Sequence, residues 1–121
     1  MLLSLPLSAH HGGAAYDVAN PVTLKGTVTQ WLYANPHCLL TFEVKGEDGT
    51  SVAWIAETQA PPIMYPAGYR RDTFKPGDQV TVTVSPAKNG RPIGHIREVV
   101  TAAGWTLGGG GQSTAKPPAA K

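Results

Sequence analysis

Between residues 20 and 107 apolar and polar side chains alternate at period two, and no window sustains a helical period. Val22, Leu24, Gly26 and Val28 share one side, with Thr23, Lys25, Thr27 and Thr29 opposite, so a first strand is expected from Val22 to Tyr33. Asn35-Pro36 ends it, because proline has no N–H to give the ladder and restrains its predecessor. Cys38, Leu40, Phe42 and Val44 then form the inner face of a second strand, and Glu47-Asp48-Gly49 is a turn. Val52, Trp54 and Ala56 continue as a third. Val80, Val82 and Val84 mark a fourth, and Asn89-Gly90 is a strong turn signal. A fifth strand is expected over about 93–101, with Gly94 suggesting a bulge. Between strands three and four, residues 60–78 are rich in proline and leave room for one short helical turn near Ile63–Tyr69.

Three strands, an irregular connection and two more strands is the order of an OB-type barrel with a reduced helix. The expected fold is therefore an all-β, five-stranded OB-like barrel, with a small sandwich or open meander as the competitor. Four segments are expected: residues 1–9 as a truncated signal-peptide remnant, 10–21 as an N-terminal arm, 22–107 as the barrel and 108–121 as a disordered tail. The tail, GGGGQSTAKPPAAK, has no large apolar side chain to offset the entropy of ordering.

Charge narrows the function. The formal net charge is +2, but Lys116 and Lys121 belong to the tail. Eight bases then face eight acids in the rest of the chain, and only Arg70-Arg71 cluster. Phosphate-backbone binding needs clustered excess base, so no nucleic-acid partner is expected. No stretch reaches the roughly 20 apolar residues of a membrane span. The single cysteine, Cys38, lies on an inner face and is expected to be a buried, inert thiol. Trp31, Trp54 and Trp105 are expected in the core and at barrel closure.

The first residues supply the chemistry. MLLSLPLSA is an apolar run ending in small residues, as at a signal-peptide cleavage site, and His10-His11-Gly12-Gly13 follow at once. A periplasmic or secreted protein is expected, the beginning of its leader lost; a frayed apolar N-terminus of a cytoplasmic protein is the alternative. A cut after Ala9 makes His10 terminal, and its amine and imidazole with a second imidazole form a three-nitrogen set. A cut one residue earlier places His11 third, and amine, two amides and imidazole again give a planar site. Nitrogen donors in tetragonal geometry suit copper, so copper is the expected cofactor if any is bound. Solvated histidines beside flexible glycines are the bland alternative.

Several segments together resemble a known family. They are His10-His11-Gly12, 21–28 (PVTLKGTV), Asn35-Pro36-His37, 54–57 (WIAE) and 68–78 (GYRRDTFKPGD). In combination they are similar to domain-of-unknown-function family 6152, over roughly residues 9–107. The resemblance implies a small exported bacterial β-barrel and supplies no reaction. This chain departs from it in the residue after the His pair, at Tyr69 and at Cys38.

The candidate ligand-binding residues are Asn35, His37, Trp54, Glu57 and Arg71, and the candidate metal ligands are His10, His11 and His37. His37 lies between strands one and two, where OB barrels commonly bind ligands. The alternation turns it away from Cys38, toward solvent or across a groove, or over Trp31 or Tyr33. Glu57, at the exit of strand three, is expected to pair with Arg70 or Arg71. His95 is expected to be structural or exposed. No nucleophile elbow, phosphate loop or His-Glu-x-x-His occurs, so no catalytic residue is assigned. The expected function is a non-enzymatic binding module for copper; a copper-dependent oxidative enzyme and a metal-free ligand-binding barrel are the alternatives.

Overall fold

The computed structural model describes residues 15–119. The signal-peptide remnant and the His10-His11 pair lie outside them. Strands β1 (Val22–Leu32), β2 (Leu39–Lys45) and β3 (Ser51–Glu57) form an antiparallel meander. A four-residue helix, α1 (Pro61–Met64), and a 3-10 turn, Tyr65–Ala67, occupy the connection, close to the expected helical turn. Strands β4 (Gln79–Pro86) and β5 (Ile93–Val100) follow, and a short β6 (Thr106–Gly108), absent from the sequence expectation, pairs with β5.

The five long strands close into a barrel. β1 pairs through its first half with β4 and through its second half with β2, and its register shifts between Val28 and Gln30. β3 and β5 run parallel across the seam, with Ile55 beside Ile93, Ala56 beside Gly94 and Glu57 beside His95. This is the expected OB-like order.

The alternation fills the barrel as expected. Val28, Leu40, Phe42, Ala56, Val80, Val82, Val84, Ile96 and Val99 are buried together, and Cys38 is buried with them. Burial raises the Cys38 thiol pKa, which keeps it protonated and inert. Tyr69 and Phe74 come from the irregular connection and cap one end of the core, with the Phe74 and Trp31 rings T-shaped and their centroids 4.9 Å apart. Trp31 and Trp54 pack against the core as expected, whereas Trp105 is 43% exposed and closes nothing.

Gly94 is a close-approach residue, and the bulge of β5 falls three residues further on: Thr83 faces Glu98 and Val84 faces Ile96, which leaves Arg97 as the extra residue. A Cβ at 94 would lie 2.7 Å from Val84 Cβ and 2.9 Å from the Ser85 carbonyl oxygen.

The chain after Leu107 is described as far as residue 119 and meets the outer side of β6 at one bridge. Thr106 and Lys116 exchange backbone hydrogen bonds, each 2.8 Å.

Gly94→Ala is expected to destabilise the fold by about 1–3 kcal/mol, the usual range for overpacking. The measurement is the urea midpoint. An unchanged midpoint would show that the β4–β5 pair tolerates a side chain at this position.

Candidate functional site

Three polar side chains and one aromatic converge at the end of the β3–β5 seam. In the parallel register Glu57 and His95 are direct neighbours. Counting back from Glu57, Ala56 and Trp54 face the core, so Glu57 belongs to the outer face. It is nevertheless 8% exposed. Its cover is the N-terminal arm. Asp17 N–H donates to the Pro86 carbonyl at 2.8 Å, and Lys88 N–H donates to the Ala15 carbonyl at 3.0 Å. The arm thereby extends the end of β4 and drops Tyr16 onto the cluster. The Tyr16 hydroxyl donates a long, 3.4 Å hydrogen bond to Glu57 Oε2, and its ring lies 6.0 Å from that of His95.

His37 arrives from the β1–β2 loop. The peptide bond between Asn35 and Pro36 is cis. Beyond it the loop is pinned to the chain that follows β3: Thr58 N–H donates to the Cys38 carbonyl and Cys38 N–H to the Gln59 carbonyl. His37 Nδ1 sits 2.7 Å from the Thr58 carbonyl oxygen. A carbonyl only accepts, so Nδ1 carries the proton and the Nε2 lone pair is left free. The same Nδ1 is 3.7 Å from Glu57 Oε1, a contact that is an ion pair only when the ring is protonated.

The electrostatics favour an incoming positive charge. Burial holds the His95 pKa below 6.5; Glu57 pulls it back up, and His37 and Arg97 push it further down. Tyr16 is pushed above its usual value, first by burial and then by the Glu57 charge and the hydrogen bond to it, so it remains a neutral donor. A buried carboxylate beside a neutral imidazole and a free imidazole nitrogen can draw in a cation or orient a hydrogen-bonding ligand. Among the described residues, no three His, Cys, Asp or Glu side chains are arranged to hold a metal ion. The barrel supplies part of a coordination sphere at most.

Of the residues expected at a site, His37 and Glu57 are brought together. Asn35 is exposed and leads into the cis bond. Trp54 is half-buried opposite Phe42, on the other face of β3 from Glu57. Arg71 is exposed, with its guanidinium 6.0 Å from the Tyr33 ring centroid. The expected pairing of Glu57 with Arg70 or Arg71 is therefore replaced by contacts to His37 and Tyr16. Arg70 is engaged elsewhere, donating from Nη1 to the Tyr65 and Tyr69 carbonyls and lying 3.4 Å over the Tyr65 ring. His37 packs against the Thr58 carbonyl and Glu57, away from the Trp31 and Tyr33 alternatives.

Two members of the cluster, Tyr16 and His95, were not expected. Tyr16 is the one aromatic in an arm of small and polar residues, which is itself a sign that it covers something. His95 follows from barrel closure: a residue near the start of strand five must face the exit of strand three.

Fold and cluster together define a small OB-type β-barrel with a carboxylate–imidazole site on its outer wall. The chain belongs to a family of unknown function, DUF6152, whose model matches residues 1–96. No curated protein matches the chain. No solved structure matches it either.

Stability is expected to fall as the solution is acidified below pH 6.5, through His95. Above that value the ring is neutral in both states. Below it the unfolded ring takes a proton while the folded ring, with its depressed pKa, resists, so unfolding gains. Urea midpoints should drop as the pH falls through about 6.5 and below in the native chain, and His95→Asn should flatten that slope. Equal slopes in the two proteins would remove His95 as the cause.

Proposed function

We propose that the chain is an exported, non-enzymatic binding module that captures copper between its N-terminal arm and the barrel wall. His10 and His11 supply nitrogen donors from the arm, and His37 supplies Nε2 from the β1–β2 loop. The observation that carries this reading is the seat of the arm. Ala15 and Asp17 are tied to Lys88 and Pro86 at the end of β4, and Tyr16 between them rests on the carboxylate that contacts His37. His11 is four residues before Ala15 in the sequence, a reach of up to about 14 Å at roughly 3.4 Å per extended residue.

The donor chemistry fits. Nδ1–H bonded to a backbone carbonyl is the arrangement that fixes a metal-binding imidazole with Nε2 outward. Imidazole nitrogens suit Cu(II), and the Glu57 carboxylate beside them offsets the metal's charge. The apolar run before His10 supports export, since it places the histidines at the start of a processed chain.

Titration with Cu(II), followed by its visible absorption and by calorimetry, tests the proposal. The native chain is expected to bind one equivalent. His10→Ala/His11→Ala should weaken binding more than tenfold, and His37→Ala should weaken it by a similar order. Affinity unchanged in the double variant sinks the copper reading. Loss in the double variant with none in His37→Ala confines the metal to the arm and removes the barrel wall from the site.

A further inference from the structure

At the far end of β5 from His95, the C-terminal segment lies over a groove of about 430 Å³, lined by Arg70, Thr73, Thr101, Trp105, Leu107 and Ala115 among others. The groove runs beside β6, the edge strand of the sheet. An exposed edge is an open ladder of donors and acceptors. Here Thr106 uses its outward N–H and C=O on Lys116, in a reciprocal pair of 2.8 Å bonds. The turn between them is built from glycines: Gly110 and Gly111 have φ of 103° and 65°, and Ser113 Oγ donates to the Gly110 carbonyl. Gly108 leaves room for Ser113, which would stand 2.6 Å from a Cβ there.

One side chain of the segment enters the body of the protein. Ala115 packs against the core, and its Cβ would be 2.9 Å from a Cβ at Gly68. Gly68, having no side chain, leaves the space that the half-buried Ala115 occupies. After Lys116 come Pro117 and Pro118, which have no N–H, so pairing stops there. Pro118 instead packs on Gly104, whose Cβ would lie 3.2 Å from it, next to the exposed Trp105. The attachment thus amounts to one reciprocal bond pair, one alanine and one proline contact. Much of the groove beside Trp105 is left open.

We infer that the outer edge of β6 and the Trp105 groove form a strand-addition site for extended peptides carrying a small side chain at the Ala115 position. Residues 113–118 occupy it in cis as a displaceable strap. Main-chain pairing supplies affinity and the Ala115 slot supplies selectivity, the division of labour general to strand addition. A tethered strap acts at millimolar effective concentration, so a weak cis contact keeps the site covered until a better peptide arrives. The matched family span ends at residue 96, before β6 and the strap.

The test uses the full chain and a synthetic peptide of sequence QSTAKPPA, residues 112–119. Ala115→Arg removes the small side chain, and Lys116→Pro removes the N–H that donates to Thr106 without touching the core. Thr106 amide exchange should rise about tenfold or more in both variants. Added peptide should restore protection there and bind each variant at least tenfold tighter than it binds the native chain. A control peptide with arginine at the Ala115 position should do neither. If Ala115→Arg fails to fold, Lys116→Pro alone decides. Thr106 protection unchanged in the variants overturns the strap; raised exchange with no rescue by peptide overturns the strand-addition site.

Discussion

Three residues of parallel pairing close this barrel, and both its core and its polar site depend on them. Ile55, Ala56 and Glu57 lie beside Ile93, Gly94 and His95. A parallel junction is never a hairpin, so the chain must cross the barrel end between β3 and β4. That crossing is the proline-rich stretch that brings Tyr69 and Phe74 over the core. Gly94 in this seam has β4 on its other side, where Val84 and Ser85 leave no space for a Cβ. Side chains alternate across it, so the register that turns Ala56 inward sets Glu57 and His95 side by side on the outer wall. Sealing the core and building the cluster are one event.

The outer wall of a small barrel ordinarily meets water, and a carboxylate there would be unremarkable in energy. The arm changes that. By extending β4 with Ala15 to Asp17, it places Tyr16 over Glu57 and excludes solvent from it. Burying a carboxylate is costly unless it is paired or hydrogen-bonded. The partners in reach are a 3.4 Å phenol and a 3.7 Å imidazole, both longer than a strong charge-assisted bond of about 2.5–2.9 Å. Glu57 therefore holds unspent attraction for a positive charge, while His95 beside it is kept neutral. The same carboxylate bears against the arm and against His37, which couples the seat of the arm to whatever His37 contacts.

The period-two pattern made the five strands, their inward faces and the hairpin turns legible, because each depends on neighbours in sequence. Cys38, Leu40 and Phe42 are buried as their alternation requires. The site was only half legible, since its members meet through closure. Glu57 stood out as a charge at a strand exit, but two arginines thirteen and fourteen residues later were the obvious partners. Nothing local reveals that Arg70 is consumed by the Tyr65 and Tyr69 carbonyls and by the Tyr65 ring. β6 is illegible for a related reason. Thr106, Leu107 and Gly108 are too few to show a period, and they are secured by Tyr69, whose hydroxyl donates to the Gly108 carbonyl at 2.6 Å from 39 residues away.

Both ends of the chain attach by main-chain pairing to strands that already exist, the arm on β4 and the strap on β6. Composition measures side-chain burial, so it undervalues segments whose stability comes from completing a ladder. Such attachment carries a hazard: every added strand presents a fresh edge to other molecules. The strap limits that hazard with Pro117 and Pro118, which offer no donor to a second chain just past the single bridge at Lys116. The arm leaves β4 quickly, because the tight turn of Asp17 to Asn20 carries the chain into β1. Each end therefore covers an edge with the shortest pairing that holds, and short pairing is what lets an end respond to a ligand or a competing peptide while the barrel stays closed.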